Sequence, residues 1–303
     1  MKHDYSRVYF ANILKVLKGS FRDACDVYGL IKYNPALTIR LPKMNKSIED
    51  VKHVYSQEEI EKILDRFKND DTFTCAFLTS CYTGMRTGEV FALTWEDIDL
   101  ENRIININHS VYDKKKDKKR WFIGTTKTET GTRKIHISQT LYMALNNFKL
   151  KQDKLKKLYG NKYHYYHIEE EKNAYGKVVE YRIVENDNTG NTYNNINLVF
   201  TIHDGTYKGT DIIKYPYSII HNELGIKKCR FYDLRGSYAT KILKNGVEIR
   251  DVADILGHRN IETTENYYIS SSKESRKEAC DIFDNLTKLK ILDKIVQYEI
   301  EIP

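Results

Sequence analysis

The stretch that most limits what this chain can fold into runs from Phe231 to Tyr267 and reads FYDLRGSYATKILKNGVEIRDVADILGHRNIETTENY. Helical spacing predicts a helix through Arg235 to about Lys244, broken at Asn245-Gly246. Ile249, Val252, Ile255 and Leu256 then form the apolar stripe of a second helix that ends at Gly257, and residues Ile261 to Tyr268 predict a third.

Three groups of residues in the chain carry chemistry at fixed intervals. Asp233-Leu234-Arg235, Leu256-Gly257-His258 and a tyrosine nine residues after that histidine follow one another. Far upstream stands Thr83-Gly84-Met85-Arg86-Thr87-Gly88-Glu89, and between the two lies Lys127-Thr128 followed by Arg133. In this order, over about 180 residues, they resemble the active site of the tyrosine recombinase (integrase) family. That family carries a first arginine, a β-hairpin lysine, His-x-x-Arg, Leu-Gly-His and a nucleophilic tyrosine.

The resemblance implies a role for each residue. A phosphodiester attacked by an oxygen nucleophile gathers charge on its non-bridging oxygens, and planar guanidinium forks hold two oxygens at once. Arg86 and Arg235 would take that part. Tyr267 would be the nucleophile, because a phenol, with a pKa of about 10, can form a phosphoester and leave it again. Lys127, its pKa lowered by guanidinium neighbours, would protonate the departing sugar oxygen. His258 would donate a hydrogen bond to the phosphate or position it. Glu89 would sit beside Arg86 if Thr87 opens a helix, fixing its orientation.

One position departs from the family pattern: Tyr232 stands where the first histidine is expected. A phenol is a poor proton acceptor near neutral pH. Either His258 or water deprotonates Tyr267, or Tyr232 only supplies a hydrogen bond, and a supporting role for Tyr232 is the favoured reading. Asp233 and Leu234 read as a helix cap and a packing residue.

The 303 residues suffice for about two domains, and 41% hydrophobic with 30% charged content is ordinary for a globular protein. The net charge of +7 favours a polyanionic partner such as nucleic acid. Five cysteines (Cys25, Cys75, Cys81, Cys229, Cys280) without C-x-x-C spacing point to a reducing cytoplasm, against zinc or a disulfide framework. A run of 18 apolar residues and a signal peptide are both missing, which predicts neither secretion nor a membrane span.

The expected fold is mainly α with a small antiparallel β-sheet (α+β). Residues 1–41, with Phe10, Ile13, Leu14, Leu17 and Phe21 on one helical face, resemble part of the family's helical core-binding domain, so the chain is expected to lack N-terminal parts, including any arm-binding region. Residues 42–55 read as a linker and 56–269 as the catalytic domain, opened by a capping box at Ser56-Gln57-Glu58-Glu59. Helices are expected at about 71–82, 87–93, 138–157 and 210–224. Alternation between Arg103 and Ile137 predicts a three-stranded antiparallel sheet, with Lys127 near the turn joining its last two strands.

Residues 159–197 read as an inserted hairpin centred on Asn173-Ala174-Tyr175-Gly176, contacting DNA or a neighbouring subunit. His164 and His167 would meet only on a helix, so no metal is expected there. Residues 270–303 would pack a helix and strand on a neighbouring protomer and hold Tyr267 in or out of the site.

Taken together, the resemblance implies a site-specific recombinase that cleaves and rejoins double-stranded DNA through a 3′-phosphotyrosine, without metal, ATP or another cofactor. It would work as a homotetramer on two paired sites, with an excisionase or a host DNA-bending protein as additional partners. The Lys/Asn/Ile-rich composition fits an AT-rich bacterial source, which with the resemblance favours integration and excision of a conjugative-transposon-like element over chromosome dimer resolution; the expected location is the bacterial cytoplasm, at the nucleoid. The rivals are type IB topoisomerase-like relaxation and a catalytically inert DNA-binding protein.

Overall fold

The computed structural model describes residues 5, 7–42, 53–114, 121–125, 132–186, 194–226 and 229–265. The chain divides into two compact units, Met1–Val51 and Lys52–Pro303.

The first unit holds helix α1 (Arg7–Asp26). Gly29 (φ +60) turns the chain away from it, and the turn beyond is tied back through Asn34 Nδ2 to the Lys18 carbonyl (3.0 Å) and Lys18 Nζ to the Leu37 carbonyl (2.9 Å). The predicted stripe lies on this helix, yet Phe10, Ile13 and Leu17 remain exposed.

The second unit opens earlier than the sequence suggests. Tyr55, expected at the end of a linker, is wholly buried: its N–H donates to Ser237 Oγ (2.9 Å), and its phenol meets Tyr217 Oη (2.9 Å) and the Arg230 carbonyl (3.0 Å). Helix α2 (Gln57–Arg66) follows with the expected capping box, Glu59 N–H to Ser56 Oγ and Ser56 N–H to Glu59 Oε2. Helix α3 (Asp71–Thr83) is the core's axis. Phe73, Ala76 and Phe77 are fully buried, and Thr79 and Thr83 satisfy their hydroxyls on the carbonyls four residues back, so this mixed sequence can be buried on nearly all sides.

Helix α4 (Thr87–Ala92) is short and largely buried, and it packs on the strand His109–Asp113. Gly88 permits this approach, since a Cβ there would lie 2.7 Å from the Val111 carbonyl oxygen.

The predicted three-stranded sheet is instead divided between two sheets. One contains β1 (Ile98–Asp99), β2 (Ile104–Ile107) and β5 (Arg133–His136) in the order β1-β2-β5. The other contains β3 (His109–Asp113), β4 (Trp121–Thr125), β6 (Tyr166–Lys172) and β7 (Val178–Glu185) in the order β3-β4-β7-β6. Asn108 breaks the first predicted strand, its side chain donating to Asp97 Oδ1 (3.3 Å). Strands β4 and β5 therefore do not pair with each other: β4 takes β3, and β5 takes β2, Ile107 facing Arg133.

Between the sheets' strands runs α5 (Gln139–Tyr159). The Tyr-rich stretch after it does fold back as the β6–β7 hairpin around Gly176 (φ +75), and β7 then pairs with β4. His164 Nδ1 bonds Glu185, whereas His167 Nδ1 bonds Asn186 Oδ1 (2.7 Å), so the two imidazoles are engaged separately.

The helix expected over 210–224 divides into a 3-10 turn, Gly209–Ile213, and α6 (Lys214–Asn222). Pro216, which has no N–H to give, falls in the first turn of α6, where none is required. Helices α7 (Asp233–Lys244) and α8 (Ile249–Leu256) end the regular elements, and residues 262–265 are again helical. No helix among the described residues is long and apolar enough to cross a membrane.

Candidate active site

Three turns build the site. Helix α3 stops at Gly84, whose left-handed backbone (φ +63) swings the chain into the loop Met85-Arg86. Arg86 is extended (φ −68, ψ 149) and Thr87 then opens α4, which puts Glu89 one turn on, facing back. The Arg86 N–H donates to Glu89 Oε2 (2.9 Å) and Arg86 Nη1 to Oε1 (2.7 Å), so this carboxylate fixes both the loop and the guanidinium it carries.

The second turn begins α7. Asp233, expected as a cap, is instead the first residue of α7: its Oδ2 accepts from the Arg230 N–H (2.9 Å) and both oxygens take the Arg230 guanidinium, while the N-cap position, Tyr232, carries no side-chain cap hydrogen bond. Two residues on, Arg235 points inward and is completely buried. Its Nη1 donates to the Gly84 carbonyl (2.8 Å) and its Nη2 to the Leu256 carbonyl (2.6 Å). Its Nε is buried with no hydrogen-bond partner among the described residues. Burial first, and then the neighbouring Arg86 charge, push the guanidinium down to about 10, which leaves it charged at neutral pH.

The third turn ends α8. Gly257 is left-handed (φ +67), and the carbonyls of the last turn, which have no intrahelical donors, are taken by three different arginines. Arg133 Nε donates to Ile255 O (2.6 Å), Arg235 Nη2 to Leu256 O (2.6 Å) and Arg86 Nη2 to Gly257 O (3.0 Å). The negative end of the helix dipole thereby faces the arginines. His258 comes next, its Nδ1 2.8 Å from Oγ1 of the wholly buried Thr264.

Hydrogen bonds thus tie Arg86, with Glu89, and Arg235 to the end of α8, next to which His258 stands. Tyr232 stands at the N-cap of α7 with its side chain exposed. Lys127 and Tyr267 lie outside the described residues.

Arg133 belongs to this group and was not among the residues assigned from sequence. Its Nη1 and Nη2 reach Glu89 Oε1 (3.2 Å) and Oε2 (2.8 Å). A signal existed: strand alternation puts Arg133 on the same face as the buried Ile135. Burial alone would raise the Glu89 carboxyl, but hydrogen bonds and charge from Arg133, and then from Arg86, hold it below the usual carboxylate range. Three guanidiniums around one carboxylate leave positive charge in surplus, which suits an anion. Planar, bidentate donors suit a phosphodiester in particular.

The family model described as Phage integrase family matches residues 53–275. The chain is 28% identical over 279 residues to a protein named tyrosine recombinase XerC-like from Caldanaerobacter subterraneus subsp. tengcongensis, covering 89% of this chain and 64% of that one. It is 27% identical over 227 residues to the transposase from transposon Tn916 of Enterococcus faecalis, covering 74% and 49%. The chain thus spans about half to two thirds of the length of these curated relatives. Among solved structures, the Tn1549 transposon integrase in complex with a circular intermediate DNA shares the fold, with a TM-score of 0.64, 19% identity, and coverage of 90% of this chain and 80% of that one.

Proposed function

The chain belongs to the phage integrase family, and on that premise we propose that it is a site-specific DNA recombinase that cuts and rejoins strands through a 3′-phosphotyrosine. The observation that carries this reading is the placement of Arg86 and Arg235 on adjacent carbonyls of the turn that presents His258. A scissile phosphate entering here meets two charged forks and a histidine, and the orphaned Arg235 Nε is a donor that a phosphate oxygen would satisfy.

Tyr267 gives its phenolic proton to water and attacks the phosphorus, and the 5′-oxygen leaves with a proton from Lys127. Arg86 and Arg235 hold the charge that gathers on the non-bridging oxygens, and His258, its ring set by Thr264, donates to one of them. Tyr232 lends a hydrogen bond and is not the base. The phosphotyrosine keeps the energy of the broken bond, so a free 5′-hydroxyl of another strand reverses the reaction and no ATP is needed.

The partner is double-stranded DNA; the Tn1549 integrase is solved in complex with a circular intermediate DNA. The assembly is a tetramer on two paired sites in the bacterial cytoplasm; the 270–303 tail, expected to join protomers, lies outside the described residues. The surplus of positive charge makes binding fall steeply with salt.

The test begins with a pool of nicked suicide duplexes of random sequence, incubated with the full chain in EDTA. Covalent complexes that survive denaturant are recovered, and two captured sites are placed on one supercoiled plasmid. Strand exchange between the sites supports recombination. Relaxation without exchange would instead establish topoisomerase-like action, and DNA retained only non-covalently would establish an inert binding protein.

A further inference from the structure

The structure assigns Arg133 as a positioning residue of the site: it holds Glu89, and through Glu89 the phosphate-facing Arg86, in register with the last turn of α8 that presents His258. This rests on the recombinase reading for its catalytic consequence, though not for its structural one.

Two contacts carry the assignment. Arg133 Nη1 and Nη2 bracket the same carboxylate that takes Arg86 Nη1 and the Arg86 N–H. Its Nε meanwhile donates to Ile255 O, one residue before the carbonyl held by Arg235 and two before the one held by Arg86. A single guanidinium therefore ties β5 to α4 and to α8.

Both partners are shielded, with side-chain exposures of 7% for Arg133 and 2% for Glu89, whereas Arg86 is 37% exposed and stays open to a ligand. The charged groups facing Glu89 are Arg86 from the start of α4, Arg133 from β5 and Arg235 from α7. Without Arg133, burial acts on Glu89 with less opposition, and a protonated Glu89 would release one of its two contacts with Arg86. The geometry requires a fork, since an ammonium cannot bracket two oxygens and also reach the Ile255 carbonyl.

The experiment compares the full wild-type chain with Arg133→Lys and Arg133→Gln in two readouts. Amide hydrogen exchange of the DNA-free proteins is followed in the peptides spanning 84–89 and 255–258. Single-turnover covalent capture of a suicide duplex selected by the wild type is followed against pH.

The expected result is faster exchange in both peptides of Arg133→Gln, with slower capture whose acid limb moves up by about one to three pH units, and partial return of both in Arg133→Lys. A residue of purely structural importance would lower the captured fraction without moving that limb. Unchanged exchange at 84–89 in Arg133→Gln overturns the assignment, as does capture with the wild-type pH profile. If the wild type captures no duplex while exchange still responds, the recombinase reading fails and the positioning role stands. Should Arg133→Gln not fold, Glu89→Gln/Arg133→Gln, which leaves no uncompensated buried carboxylate, takes its place, and wild-type exchange at 255–258 in that pair likewise overturns the assignment.

Discussion

Arg235 Nη2 lies 2.6 Å from the carbonyl oxygen of Leu256, so the arginine that starts one helix closes the end of the next. With Nη1 on Gly84, this buried side chain is where three stretches distant in sequence converge.

Arg235→Lys follows directly. An ammonium cannot serve both the Gly84 and the Leu256 carbonyl, and one buried acceptor left without a donor costs about 1–3 kcal/mol. Urea unfolding should show that loss, and covalent capture should fall by about 100-fold or more, in keeping with removal of a preorganised donor. Capture at the wild-type rate would mean that this guanidinium does not meet the phosphate.

Glu89→Gln ties stability to pH. The folded carboxyl is held below its ordinary range, because Arg133 and then Arg86 outweigh the burial that would raise it. Its contribution is therefore complete above the unfolded pKa of about 4.3 and is lost as pH falls through the lower folded value. The difference in urea-derived stability between wild type and variant should be flat from neutral to about pH 5 and narrow below it. A gap that widens on acidification would contradict the ion-pair account.

Gly88→Ala should separate α4 from its strand. The added methyl would sit 2.5 Å from Ser110 Oγ and 2.7 Å from the Val111 carbonyl, and the second of these is backbone that cannot swing away. A loss of about 1–3 kcal/mol in thermal or urea unfolding is expected, and a neutral outcome would show that α4 can shift freely.

Tyr55→Phe removes one buried hydroxyl while keeping the ring. Tyr217 Oη and the Arg230 carbonyl each lose a partner, and a cost of about 1–3 kcal/mol should appear in chemical unfolding. No change would mean that Tyr55 is held by packing alone.

Much of the site was legible because its residues lie at turns that local chemistry specifies. Gly84, Asn245-Gly246 and Gly257 mark helix ends by backbone conformation, and the Ser56 to Glu59 box marks a start, so the helices flanking Arg86, Arg235 and His258 follow from local signals, whereas the choice of those three residues rests on the family resemblance. What stayed hidden depends on partners remote in the chain. Arg133 meets Ile255 across 122 positions and Glu89 across 44, so strand alternation could give its face but not its partners. Tyr55 follows a polar stretch and owes its burial to Tyr217 and Arg230, 162 and 175 residues on. The break at Asn108 was missed because alternation continues across it, and only the pairing partners reveal two sheets.

The most direct measurement of the central claim is identification of the amino acid joined to DNA. The captured complex is digested with protease and nuclease, and the peptide carrying the residual nucleotide is sequenced by mass spectrometry. A nucleotide attached through its 3′-phosphate to Tyr267, with no adduct from Tyr267→Phe, is the predicted result. Attachment at Tyr268 or at any other residue, or an adduct that survives Tyr267→Phe, would contradict it.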